Sequence, residues 1–298
     1  MEPKRKADNT LYRIRVRPLE LFLSAFIYGA ASLSVFLLLG MIGYIFFKGY
    51  GELCPDFFTN ATSARHGTVG IGGNLLNTVY LIVISLLIGI PVGVGAAIYL
   101  NEYAAQGRLI SAVEFAIETL AGIPSILFGM FGMVFFGGVL GLGYSLLNGA
   151  LTLTLMILSL IVQNTRDALR AVPNSYREGA VGMGAAKWHM IQTVLLPSAA
   201  PGILTGIILA VGRIVGESAA LLFTAGSAGA LPKLGQGVGE DIAELLGKIF
   251  ESGGTLAIAL YLQMQNGEYE LAFGIGCVLI FVVLLMNWVI SLIGAKKR

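Results

Sequence analysis

Residues 119–165 carry no charged side chain, a run about twice the roughly 20 residues an apolar helix needs to cross a hydrocarbon layer. The rest of the chain is of one kind with it. Only 12% of the residues are charged and 56% are hydrophobic, against about 25% charged in an average soluble domain. Forty glycines show no Gly-X-Y period, and two cysteines, Cys54 and Cys277, have no CxxC or metal-ligand spacing, which excludes collagen and a disulfide scaffold. A net charge of +2 gives no footprint for nucleic acid. The sequence is that of an all-α, polytopic membrane protein.

The charge-free runs predict six membrane helices, near 21–47, 75–100, 111–136, 146–168, 201–225 and 271–293. The long run must turn once, and four of the seven residues 137–143 are glycine, which places the turn there. The first span has no small-residue cleavage site after a short apolar core, so it reads as a retained anchor. An even number of helices puts both termini on one side. Residues 1–20 hold six Lys and Arg and residues 294–298 hold three. With Arg108, Arg166, Arg170, Arg177 and Lys187, fourteen of the 19 basic residues fall on that side, against four on the other. Basic excess marks the cytoplasmic face, so both termini and the loop 169–200 are expected there. The segments 48–74 and 226–270 are expected outside, and residues 75–293 form the core of five helices.

The loop 169–200 is unlike the others. From Asn174, an expected N-cap, residues 175–184 can form a short helix with a small-residue face. Its glycines make it weakly self-supporting, which suits docking against another surface. An interfacial helix on lipid headgroups is the plain alternative, and the scarcity of basic residues on its polar face speaks against it. Within the loop, Glu178, Gly179 and Ala180 are followed by Gly184 and then by Val194, Leu195, Leu196 and Pro197. This pattern resembles the signature Glu-Ala-Ala, three residues, Gly, nine residues, Ile-x-Leu-Pro of the integral permeases of ABC importers with the type I fold, with Gly179 and Val194 as departures. The resemblance implies that the loop sits in a groove of a cytoplasmic ATPase. The chain has no G-x-x-x-x-G-K-[ST] phosphate loop of its own. It is therefore expected to be a transport subunit and not an enzyme, binding no cofactor and no metal, with ATP and Mg on the partner ATPase.

From the second helix onward the chain is similar to the PstA-type permeases of phosphate importers. The likeness is carried by residues 90–103, 119–125, 178–203 and 213–226, the last reading RIVGESAALLFTAG. It implies a heterodimer with a PstC-type permease, two ATPase subunits, an extracytoplasmic phosphate-binding protein and a bacterial or archaeal cytoplasmic membrane. Residues 232–254 look like an insert, which the resemblance does not assign. Sulfate, molybdate or another oxyanion is an alternative cargo.

Arg213 and Glu217 interrupt an apolar span four residues apart and are expected on one helix face. Charge at membrane depth costs about 2.5 to 3.5 kcal/mol on insertion scales and faces a partner or a watery path. Either the two neutralise each other, or they line the translocation route. In the second case the guanidinium fork suits phosphate, and the carboxylate accepts from a protonated phosphate oxygen that sulfate lacks near neutral pH. Pro91 and Pro124 fall inside expected helices and can kink them. Residues 238–250 show helical apolar spacing beside Glu240, Asp241 and Glu244, as for a helix on the membrane surface, with contact to the binding protein as the alternative. A secondary transporter would call for more paired acids in mid-membrane than Glu217 with Glu114 and Glu118. A membrane enzyme finds no converging groups, since His66 and His189 are expected on opposite sides.

Overall fold

The structure is a computed structural model that describes residues 18–59, 61–63, 68–105, 107–231 and 238–295. The basic residues 4–17 and 296–298, together with Arg65, His66 and residues 232–237 of the insert, lie outside the described residues. Two compact units are distinguished, residues 1–47 and 48–298. The first is carried by helix α1 (Pro18–Gly49), apolar around its whole circumference and closed by Lys48 in its last turn, where the helix dipole favours a cation.

The second unit begins with a short helix α2 (Pro55–Thr59) and an antiparallel pair, β1 (Ala61–Ser63) and β2 (Thr68–Ile71). Helix α3 (Gly72–Ile98) follows and ends in a π-helical turn, Tyr99–Tyr103. Then come α4 (Arg108–Gly122), α5 (Ser125–Gly132), whose last turns to Val139 are π-helical, and α6 (Leu146–Arg170). Helix α6 is the axis of the unit. Leu146, Ala150, Leu153, Ile157 and Ile161 recur every three or four residues and are fully enclosed, the spacing of one helix face. They meet α3, α9 and α5. Contact with α3 is close because Gly89 and Gly93 have no side chains. A Cβ at Gly93 would stand 2.7 Å from Ile161 Cγ2, so this small-residue pair serves packing within the chain.

Among the described residues five helices are long and apolar enough to cross a membrane, and α4 with α5, counted together as one bent span, brings the number to six. This is the expected count, with two corrections. The third span is not one helix over 111–136. It breaks between Ile123 and Pro124, and its halves stand at 104° to each other. Pro124 has no N–H to donate and forces Ile123 out of helical conformation, to ψ 131°. At Pro91, in contrast, α3 continues. The fifth span is not continuous over 201–225. Helix α9 (Leu196–Gly216) ends at Glu217, which is extended at ψ 122°, and a separate helix α10 (Ala219–Thr224) follows.

The two interrupted segments pack on each other. Gly129 of α5 lies so near α10 that an added Cβ would stand 2.7 Å from Ala220 Cα. Backbone, unlike a side-chain tip, cannot swing aside. Gly129→Val is therefore expected to destabilise the protein by about 1–3 kcal/mol through overpacking, measurable as a lowered Tm of the purified protein.

The segment 226–270 is more than a connection. It holds α11 (Val238–Gly247), where helical spacing was expected, and a second helix, α12 (Leu256–Gln265), whose Leu256, Ala257 and Ile258 are buried in the core. Polar side chains at the start of α3 hold this segment in place. Asn74 and Asn77 donate from Nδ2 to Gly254 O at 3.0 and 3.1 Å, Asn77 also to Ala228 O at 3.2 Å, and Thr78 Oγ1 accepts from the Leu256 N–H at 3.0 Å. Thr255 caps α12 through the N–H of Ile258. The last helix is α13 (Tyr269–Ala295).

Candidate functional site

The loop between α6 and α9 folds into α7 (Asn174–Gly182) and α8 (Lys187–Met190), continued into α9 by a π-helical turn, Ile191–Leu195. Pro173 stops α6 and precedes the first residue of α7. Asn174, expected from the sequence to be the N-cap, is the first residue of α7 and does not cap it with its side chain. Its Oδ1 instead accepts from Arg177 Nη1 at 3.3 Å.

The spacing of Glu178, Ala180 and Gly184 has a geometric cause. Helix α7 closes in a Schellman motif: the Gly184 N–H donates to Val181 O at 2.9 Å and the Ala185 N–H donates to Ala180 O at 3.0 Å. This closure requires a left-handed residue, and Gly184 has φ +79°. Ala180 is the motif's third residue from the helix end. It is buried and packs with Ala185 in a cluster of Ile98, Leu169, Val172, Met190, Ile191, Leu195 and Ala199. Val194 and Leu196 pack against the same cluster, and Pro197 opens α9 at the surface. The motif's small and apolar positions thus hold the loop on the membrane helices, while its acid is turned away. Glu178 is exposed, as are Gly179 and Gly184, and its carboxylate has no hydrogen bond or ion pair among the described residues. On the same loop Tyr176, Val181, Met183 and Trp188 are all more than half exposed, with Met183 at 86%. A Cβ at Gly179 would meet nothing within 4 Å, so the departure from Ala costs helix propensity and no packing.

Arg213 lies in the last turn of α9 and is partly buried. It makes no ion pair with Glu217, and its guanidinium has no hydrogen bond among the described residues. Because the helix ends between them, the two do not share a helix face. Glu217 has a different partner: its Oε1 accepts from the Ala220 N–H at 3.1 Å and caps α10. Beside this interruption a cavity of about 230 Å³ is lined by Ile126, Ser218, Ala219, Leu222, Phe223 and Tyr261. Glu217→Ala is expected to cost about 1 kcal/mol of stability by removing the cap. Glu217→Gln keeps the acceptor oxygen and should leave Tm unchanged, so any transport defect in Gln reports on charge.

Three features escape the sequence. Glu114 of α4 pairs with Arg166 of α6, so this acid is neutralised. Arg177 reaches Glu102 at 2.9 Å, and Lys187 sits 4.7 Å from the ring centroid of Tyr103. Each basic partner was visible only as a marker of sidedness. Among the described residues no group of three His, Cys, Asp or Glu side chains is placed to hold a metal.

Residues 89–298 match the family described as binding-protein-dependent transport system inner membrane component. The chain is 38% identical over 262 residues to the probable ABC transporter permease protein YqgI of Bacillus subtilis, covering 86% of this chain and 88% of that one. It is 38% identical over 178 residues to the phosphate transport system permease protein PstA of Xylella fastidiosa, covering 60% and 62%. Among solved structures, a permease chain of a bacterial alginate ABC transporter, in complex with its alginate-bound periplasmic protein, matches with a TM-score of 0.60 at 17% identity, covering 91% and 92%. That likeness supports the fold. The chain belongs to the family of binding-protein-dependent transport system inner membrane components, and is a multi-pass permease subunit of an ABC importer.

Proposed function

We propose that this subunit carries inorganic phosphate across a bacterial or archaeal cytoplasmic membrane, with both termini and the α7–α8 loop on the cytoplasmic side. The observation that carries the reading is Arg213, a permanent cation at a helix interruption with no partner among the described residues, in a chain with relatives named as phosphate permeases. A fixed guanidinium presents paired donors to two oxygens of a passing oxyanion. Glu217 spends one oxygen on capping α10, which leaves Oε2 to accept from a protonated phosphate. Sulfate offers no such proton near neutral pH.

ATP and Mg belong to a separate ATPase, present as two subunits, and this chain binds no cofactor. The exposed surface around Glu178, Gly179 and Gly184, seated on the membrane helices through Ala180, Val194 and Leu196 with Pro197 opening α9, is the ATPase contact. A PstC-type permease completes the pathway, and an extracytoplasmic binding protein delivers the ion. Radiolabelled phosphate uptake by the reconstituted complex, with sulfate and molybdate as competitors, tests the reading. Saturable uptake that requires ATP and ignores a tenfold excess of either competitor is the expected result. Equal competition by sulfate or molybdate would reassign the cargo, and uptake without ATP would point to a secondary transporter.

A further inference from the structure

We propose that Glu102 and Tyr103, in the π-helical turn that ends α3, are positioning residues that carry displacement of the α7–α8 loop into α3. The proposal rests on the reading of that loop as the ATPase contact.

The loop is joined by the chain to α6 and α9 but not to α3. A push on α7 reaches α6 through Pro173 and α9 through the turn at Ile191–Leu195. It reaches α3 only across space. Ile98 makes an apolar contact with the loop cluster, but apolar contact is non-directional and lets surfaces slide. Two polar contacts fix the register, one on each side of Gly184. Glu102 Oε1 accepts from Arg177 Nη2 at 2.9 Å on α7, and the Tyr103 ring receives Lys187 at the start of α8. Consecutive side chains of a single turn thus grip both helices that flank the left-handed glycine.

Arg177 makes the grip rigid. Its Nη2 also donates to Leu169 O at 2.9 Å, and its Nη1 donates to Val172 O at 3.0 Å and to Asn174 Oδ1 at 3.3 Å. The guanidinium is therefore anchored to the end of α6 and to α7 before it meets Glu102. Glu102 is held in turn by Asn101 Nδ2 at 2.8 Å, and its side chain is 7% exposed. A carboxylate this enclosed, tied through one oxygen to a guanidinium that is itself held at three other points, makes α3 follow when Arg177 moves. Helix α3 packs along α6 through Gly89 and Gly93, which carries the movement on into the membrane core.

The test uses the complete complex in proteoliposomes, with Ser218→Cys as a reporter beside α10 in a Cys54→Ser background. Two quantities are read: ATP hydrolysis, and the ATP-dependent change in maleimide labelling of the reporter, which does not depend on the cargo. Glu102→Gln is expected to retain the ATPase and hydrolyse ATP within about twofold of the parent, while the labelling response falls about tenfold, within the range of ordinary coupling energies. Tyr103→Leu should act in the same direction, and the charge-reversed pair Glu102→Arg with Arg177→Glu should recover part of the response. The proposal is overturned if Glu102→Gln keeps the parental labelling response, or if response and hydrolysis fall together in proportion. Should Glu102→Gln not assemble, Tyr103→Leu decides by the same criteria. If a Gly184→Glu complex retains its ATPase, the docking assignment itself fails, a result distinct from loss of the grip with docking intact.

Discussion

Arg213→Ala is expected to lower phosphate uptake about 100-fold while the protein reaches the membrane at its normal level. Bringing a charge to membrane depth costs about 3 kcal/mol on insertion scales, and a guanidinium waiting there offsets a cost of that size for the anion. Each 1.4 kcal/mol is about tenfold in rate, which sets the figure. Arg213→Lys keeps the charge and loses the fork, so it should fall between the two. Arg213 also stands in the last turn of α9, where a cation interacts favourably with the helix dipole, by about 0.3–1 kcal/mol. A purely structural part in the fold would therefore show as a lowered Tm with uptake nearly intact. The route assignment predicts the reverse, and normal uptake by Arg213→Ala at wild-type abundance would refute it.

What the sequence shows and what it conceals follows from the range of the forces involved. The spans are legible because the bilayer acts on every residue of a run at once, so an absence of charge over 119–165 is decisive without any knowledge of neighbours. The end of α7 is legible because the Schellman motif is local. Ala185 is tied to Ala180 and Gly184 to Val181 by hydrogen bonds, and the left-handed position between them favours glycine. The breaks at Ile123–Pro124 and at Glu217 are only half legible. A proline announces that a helix can fail, yet Pro91 leaves α3 unbroken while Pro124 turns the chain through 104°. The difference lies in what receives the second half. Helix α5 finds α10 across Gly129, and that contact is not written near Pro124. Glu217 looks like a membrane charge in need of a partner, and the partner it finds is a backbone N–H three residues on. The Glu102–Arg177 pair and the asparagines of α3 that hold residues 225–256 join segments far apart in sequence, so no spacing predicts them. A buried Asn is informative in retrospect, since an unpaired amide away from water costs free energy, and the Nδ2 groups of Asn74 and Asn77 both find backbone carbonyls.

Gly184→Glu should strip the complex of its ATPase, whereas Gly184→Asn should keep most of it. A Cβ at this position meets nothing within 4 Å, so neither side chain is excluded by crowding. The backbone decides. At φ +79° an ordinary L-residue pays about 1–2 kcal/mol, while asparagine visits this region readily. The substituted chain can escape the cost by opening the cap, which gives up the bonds from Gly184 and Ala185 and lets Ala180 leave its cluster. Docking that needs the capped form is then weakened by the fraction of loops that retain it, roughly tenfold for a cost of this size. Glutamate adds an uncompensated charge on the surface that carries Val181, Met183 and Trp188, which desolvates on contact. Retention of the ATPase on a tagged permease, with hydrolysis stimulated by the binding protein as a second reading, separates the pair. Glu178→Lys reverses the only acid of α7 without touching the cap, so its loss of ATPase would place the contact on the charge itself. Equal retention by Glu and Asn at position 184 would show that the left-handed cap is immaterial to docking, and would move the contact off α7.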